Sequence, residues 1–182
     1  ALGLERPAIC GWSDGGQIAL EIGIRYPNAA RALIVGGAGY RFSDEYVREV
    51  RRAMFAREDG TIDVTAWEAA NPEAAESMRK AHRHRYGEDH WKTLLQRCAQ
   101  LWLTPFGLTA GDFAKITTPT LLVNGDRDPF FPVEESVEML RMIEPAELAI
   151  FAAADHSLPA ARANSFAGTI VAFIERHKAP LN

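Results

Sequence analysis

The segment Ala8-Ile9-Cys10-Gly11-Trp12-Ser13-Asp14-Gly15-Gly16 decides how this chain is read. A short apolar run with β-branched content leads straight into a Gly-x-Ser-x-Gly pattern. Beyond it, Ile18, Ala19, Ile22 and Ile24 recur at helical spacing until Tyr26-Pro27 gives a stop signal. Strand, sharp turn, helix is therefore the predicted local order. In such a turn the central residue's backbone is strained and side chains on either side would collide, so small residues are needed there. Gly11 and Gly15 are expected to supply that room. In this context Ser13 reads as a nucleophile presented at the carboxyl end of a strand; the plainer alternative is a glycine-rich turn holding a structural serine.

Three further apolar runs, over residues 32–35, 120–123 and 148–151, read as buried parallel strands, with the first at 8–10. A helix over 15–25 joins the first two by a right-handed crossover. Another over 133–143 follows Pro132, which suits a helix start. A last helix over 164–177 carries Phe166, Ile170, Phe173 and Ile174 on one face. The fold class predicted is α/β: a parallel sheet of about four strands with flanking helices. Residues 1–39 and 116–182 form this core, and 40–115 form a helical insertion, with helices over 44–55, 72–83 and 89–102 punctuated by Gly60, Asn71, Gly87 and Pro105. An insertion between two strands of a parallel sheet is expected to be a lid over the carboxyl ends of the strands, where ligands bind in open α/β sheets.

Two more strand ends carry chemistry. Gly125-Asp126-Arg127-Asp128-Pro129 follows the third strand and Ala154-Asp155-His156-Ser157 the fourth. Serine catalysis requires an imidazole to take the hydroxyl proton and a carboxylate to fix the imidazole tautomer and stabilise its cation. The order Ser, Asp, His, each at a strand's carboxyl end, meets that requirement. Singly, the aspartates read as turn caps and the histidine as a loop residue.

With these motifs in place, the chain resembles the carboxyl-terminal two thirds of an α/β-hydrolase. It is nearest in pattern to capped serine esterases of the valacyclovirase (biphenyl hydrolase-like) type, whose elbow also reads Gly-Trp-Ser-Asp-Gly-Gly. The resemblance implies Ser13 as nucleophile, His156 as base and Asp128 as acid, with Asp126 structural. It also implies an oxyanion donor at the backbone N–H of Asp14. A serine at the nucleophile position separates the chain from related dehalogenases and epoxide hydrolases, which use aspartate. The family's elbow follows its fifth strand, whereas Ser13 follows the first here, so the amino-terminal strands, the second oxyanion donor and one pocket wall are expected to lie outside this chain. Losing one such donor costs roughly 100- to 1,000-fold in rate. The implied function is cleavage of small carboxylic esters through an acyl-enzyme. The alternatives are an incompetent fragment or interaction module, and a C–C bond hydrolase or perhydrolase on the same scaffold. The first strand, central in the whole fold, becomes an edge here and is expected to pair with an amino-terminal half or with another copy.

Candidate substrate contacts are Trp12, Asp14, Trp102, Phe106 and Phe130. Asp14 reads either as a carboxylate held at a helix amino terminus or as a partner for a cationic substrate group. Trp91, Leu94, Leu95, Cys98 and Trp102 form a helical stripe expected to pack the insertion onto the core, and Cys10 reads as a small buried residue. His82, His84 and His90 lack usual zinc spacing, and neither metal nor cofactor is expected. Among 182 residues, 24 acidic against 20 Lys plus Arg give a net charge of -4, without the clustered cations that nucleic acid or an anionic membrane surface demands. The two cysteines, Cys10 and Cys98, stand far apart, fitting a reduced cytoplasmic setting.

Overall fold

A computed structural model describes residues 4–178. In chain order the elements are β1 (Ala8–Trp12), α1 (Asp14–Arg25), β2 (Ala32–Gly36), α2 (Asp44–Met54), α3 (Val64–Ala70), α4 (Pro72–Tyr86) and α5 (His90–Trp102). They continue with α6 (Ala110–Phe113), β3 (Thr120–Gly125), α7 (Val133–Met142), β4 (Ala146–Phe151), α8 (Leu158–Ala161) and α9 (Ala163–Arg176). The chain divides into two compact units, residues 1–41 with 107–182, and residues 42–106.

The first unit holds a four-stranded parallel sheet in the order β1-β2-β3-β4. Alternation along the strands sends side chains to two faces. Leu33, Val35 and Leu122 join Leu20 of α1 and Met139 of α7 in one core cluster. Ala32, Ile34, Leu121 and Val123 meet Leu158 of α8 and Phe173 of α9 in the other. Because both faces are covered, β2 and β3 are buried along their whole length and read as continuous apolar runs rather than alternating ones. Truncating a fully buried anchor such as Phe173 would cost about 3–5 kcal/mol.

The boundary of the sheet unit falls earlier than the sequence reading placed it. Residues 107–115 belong to the sheet unit because Phe113 is fully buried in the first core cluster. A reciprocal cap between Thr109 and Asp112 fixes the short helix that delivers it. Lys115 and Thr109 together hold the Asp112 carboxyl far below its ordinary range.

Cys10 also departs from expectation: it is exposed. By alternation it lies on the face of Ala8 and Trp12, which pack at the margin of the α9-side cluster, on the outermost strand of the sheet.

The second unit is helical. Ser43 caps α2 by accepting from the Tyr46 N–H at 3.1 Å, and Asp63 caps α3 through the Ala66 N–H at 3.0 Å. Trp91, Leu95 and Ala99 of α5 are buried, and Trp91 meets Trp67 of α3 at 6.2 Å between ring centroids. Of the stripe on α5, Trp91 thus packs against an aromatic of its own unit. Arg79 of α4 ties Glu68 of α3 to Glu76 of its own helix. Among the described residues no helix is long and apolar enough to cross a membrane.

Candidate active site

Three strand ends converge at one edge of the sheet. Ser13 lies between β1 and α1 with φ 58 and ψ -122, a positive φ that side-chain-bearing residues rarely adopt. Such strain costs on the order of 1–3 kcal/mol and persists only where the surroundings enforce it. Here the Ser13 N–H donates to the Gly36 carbonyl at 2.8 Å, while the Ser13 carbonyl accepts from Gly16 and Gln17 in the first turn of α1. The missing side chain at Gly11 is essential, since a Cβ there would lie 1.8 Å from the Gly15 carbonyl oxygen. A Cβ on Gly15 itself would meet nothing within 4 Å; Gly16 is the second crowded position, with the Gly36 oxygen 2.8 Å from where a Cβ would sit. Crowding thus acts at Gly11 and Gly16, not at Gly15.

His156 Nε2 is 3.0 Å from Ser13 Oγ, and His156 Nδ1 is 2.7 Å from Asp128 Oδ2. The Asp128 side chain is fully buried while that of His156 is 25% exposed, so the carboxylate is shielded and the imidazole stays open to a substrate. Asp128 is oriented from its other oxygen: Oδ1 accepts from the N–H groups of Phe130 and Phe131 at 2.9 and 3.2 Å. With the carboxylate pinned this way, Nδ1 of His156 carries its proton toward Asp128 and Nε2 is left to accept from the Ser13 hydroxyl.

Residues around the triad hold its loops. Asp126 accepts from the Ala154 N–H at 3.2 Å, and the Arg127 N–H donates to the Ala154 carbonyl at 2.9 Å, stitching the loop after β3 to the loop after β4. Asn124, buried at the end of β3, donates from Nδ2 to the Phe131 carbonyl at 2.7 Å and accepts at Oδ1 from Gly125. Asp155 accepts from the hydroxyl and then the backbone N–H of Ser157, which lower its carboxyl below the usual range. Behind the Asp128 loop, burial pushes the Glu135 carboxyl up, opposed by Arg41, whose Nε lies 3.3 Å from Glu135 Oε1. The partners of the Asn124 clamp and of the Asp126 stitch carry no signal in the sequence, because each bond joins segments that only folding brings together.

The expected substrate contacts are distributed unevenly. Phe130 sits edge-on to the His156 ring at 5.0 Å. Asp14 is the first residue of α1, directly after Ser13. Trp12 lies at the end of β1, with its indole N–H donating to the His156 carbonyl at 3.1 Å. Trp102 closes α5 in the helical unit, and Phe106 packs there against Phe42 at 5.1 Å. Among the described residues no cluster of three or more His, Cys, Asp or Glu side chains could hold a metal ion.

Comparison with known proteins agrees with this architecture. The chain is 26% identical to the serine hydrolase BPHL of Mus musculus, over 96% of this chain and 57% of that protein. It is 26% identical to a 2-hydroxy-6-oxo-2,4-heptadienoate hydrolase of Pseudomonas putida, over 86% of this chain and 59% of that protein. The chain thus spans under three fifths of the length of either relative. Among solved structures, MGS-M2, an alpha/beta hydrolase enzyme from a Medee basin deep-sea metagenome library, superposes with a TM-score of 0.68 at 19% identity, over 100% of this chain and 68% of that one. A model of the alpha/beta hydrolase family matches residues 1–168, and the chain belongs to that family.

Proposed function

We propose that the protein is a serine hydrolase that cleaves small carboxylic esters through an acyl-enzyme. The observation that carries the reading is the unbroken relay from Ser13 Oγ through His156 to the buried Asp128, at 3.0 and 2.7 Å. In the first half-reaction Ser13 Oγ attacks the ester carbonyl while His156 Nε2 takes its proton. The tetrahedral intermediate then collapses, the C–O bond to the alcohol breaks, and His156 returns the proton to that alcohol. In the second, His156 deprotonates a water that attacks the acyl-Ser13 carbonyl and releases the acid. Asp128 stabilises the imidazolium in both, and the backbone N–H of Asp14, at the amino-terminal end of α1, donates to the oxyanion. The reaction needs neither metal nor cofactor. Phe130, edge-on to the His156 ring, is assigned to the rim of the acyl pocket.

A second oxyanion donor and the remaining pocket wall are assigned to polypeptide paired along the free side of β1, either an amino-terminal half or a second copy. A cytoplasmic setting fits two cysteines, Cys10 and Cys98, that stand far apart in the chain with no metal-binding spacing.

A fluorophosphonate probe tests the reading, because it reacts only with a serine activated in an assembled site. Labelling of the protein and its loss in Ser13→Ala are expected; absence of labelling in the unaltered protein would leave an interaction module as the better account. C–C bond hydrolysis is the second reading, favoured by likeness to proteins named as hydrolases of 2-hydroxy-6-oxo-2,4-heptadienoate and of 2-hydroxymuconate semialdehyde. Parallel assays on simple esters and on vinylogous diketones separate the two.

Of the two readings of Asp14, a carboxylate held at the amino terminus of α1 or a partner for a cationic substrate group, the second predicts a selective effect. Asp14→Asn should then slow hydrolysis of α-amino esters about 10-fold or more relative to neutral esters, the loss of one charge-assisted contact. Equal effects on both would reject the assignment.

A further inference from the structure

We propose that Trp12 is a positioning residue for His156, holding the backbone of the general base through its indole N–H; the inference rests on the serine-hydrolase reading above. The side chain beside a nucleophile is expected to face substrate. In this fold its polar atom is engaged elsewhere, on the His156 carbonyl 3.1 Å away.

The indole is held on three sides. Its ring lies against the backbone of Gly36 and Gly37, where a Cβ would come within 2.4 and 2.6 Å of indole carbons, so the two glycines form a floor that no other residue leaves open. Phe166 of α9 meets it edge-on at 5.5 Å. The His156 ring lies 5.7 Å from it, tilted by 44°. The same Gly36 carbonyl that accepts from the Ser13 N–H belongs to this floor. One rigid block therefore joins the nucleophile's backbone, the end of β2 and the residue that carries the base.

This matters because His156 sits on an unusual loop. Ala153, three residues earlier, adopts φ 52, a left-handed conformation that costs a side-chain-bearing residue energy. Asp126 and Arg127 pin Ala154 from one side. Trp12 pins His156 itself from the other. The imidazole already has two hydrogen-bond partners, but neither fixes the peptide from which it hangs. A misplacement on the order of 1 Å can cost about 100-fold in rate.

The test replaces only the donor. Substituting Trp12 by 3-benzothienylalanine keeps the bicyclic shape and exchanges N–H for sulfur; Trp12→Phe is the genetically simple counterpart. Both should lower kcat for a neutral ester on the order of 10- to 100-fold with KM changed less than about twofold. The His156 Nδ1–H proton resonance should broaden or shift upfield as the bond to Asp128 loses its fixed geometry. Substitution by 7-azatryptophan, which retains the N–H, should restore both signals. Unchanged kcat and resonance in the benzothienyl protein would overturn the proposal. So would a rise in KM with the resonance unmoved, which would make Trp12 a substrate contact. If the unaltered protein neither hydrolyses esters nor takes the fluorophosphonate, the acyl-transfer reading fails, and the resonance by itself still decides whether Trp12 holds His156.

Discussion

The two outer strands of the sheet are both apolar, and they end differently. β4 reads Ala146-Glu147-Leu148-Ala149-Ile150-Phe151, and Glu147 near its start is held by Arg176 and, at 2.9 Å, by His177 from the end of α9. A charge on an outer strand is a common device against edge-to-edge pairing. β1 reads Ala8-Ile9-Cys10-Gly11-Trp12, carries no charge, and leaves Cys10 exposed. Its composition is that of an inner strand such as β2, Ala-Leu-Ile-Val-Gly, yet β2 is buried throughout and β1 is not. One outer strand is guarded and the other is chemically an interior strand, although each delivers one member of the three-residue candidate proton relay, Ser13 after β1 and His156 after β4.

The largest test asks whether these unequal edges are joined into one site by the inner strand between them. Asp128, from the end of β3, is the only carboxylate among the described residues hydrogen-bonded to the His156 ring. Asp128→Asn should lower kcat by about 1,000- to 10,000-fold, since an amide cannot hold the same tautomer. Loss under 10-fold in an ester assay would mean that the two edges do not share one relay.

A smaller effect, in assembly rather than rate, tests the contrast itself. The 182-residue chain should be found paired along β1, with itself or with another polypeptide, and Cys10→Lys should shift its sedimentation toward monomer. A monodisperse 20.1 kDa monomer for the unaltered chain, with no polypeptide attached, would remove the difference between the edges.

The smallest effect concerns the guarded strand. The His177 imidazole and then the Arg176 guanidinium hold the Glu147 carboxyl below its ordinary range. A carboxyl lowered in the folded state contributes stability above its ordinary range and loses it as pH falls through the lowered value. Because the three side chains are about one third to one half exposed, solvent screens the pair. Glu147→Ala should cost at most about 0.5 kcal/mol at neutral pH, a fall in Tm of roughly 1–2 °C, and nothing in strong acid. A penalty that persists in acid would mean that Glu147 acts through packing rather than charge.

The sheet was legible from sequence because its signals are local. Runs of three or four apolar residues followed by Gly, Asn or Ala specify buried strands, and the apolar spacing of α1 and α9 specifies their packing faces. Ser13, Asp128 and His156 were legible for the same reason, each sitting in a short motif at a strand end. The position of residues 107–115 was not. Phe113 is an unremarkable aromatic in sequence, and only its burial against the sheet assigns it to that unit. The stripe on α5 was correctly apolar, but periodicity names a face and not its partner; Trp67 supplied one from 24 residues upstream. Crowding at the elbow followed the same pattern, since Gly16 is constrained by Gly36 and Ala38, which arrive from another strand.

By itself, the sequence determined the strand order along the chain and the longer helices, though not the short α3, α6 and α8, together with the elbow at Ser13 and the three residue types of the relay, because each is written within a few neighbouring positions. The turn by itself left open which of its two carboxylates meets His156; the family resemblance favoured Asp128, and the tertiary structure brings that one to the imidazole. Asp128 reaches Nδ1 at 2.7 Å while Asp126 is spent on the Ala154 N–H. Tertiary structure also decided where the Trp12 indole is engaged and which outer strand is left open. Those outcomes depend on distances between segments some 30 to 140 residues apart, and such distances exist only once β1 to β4 have paired in order.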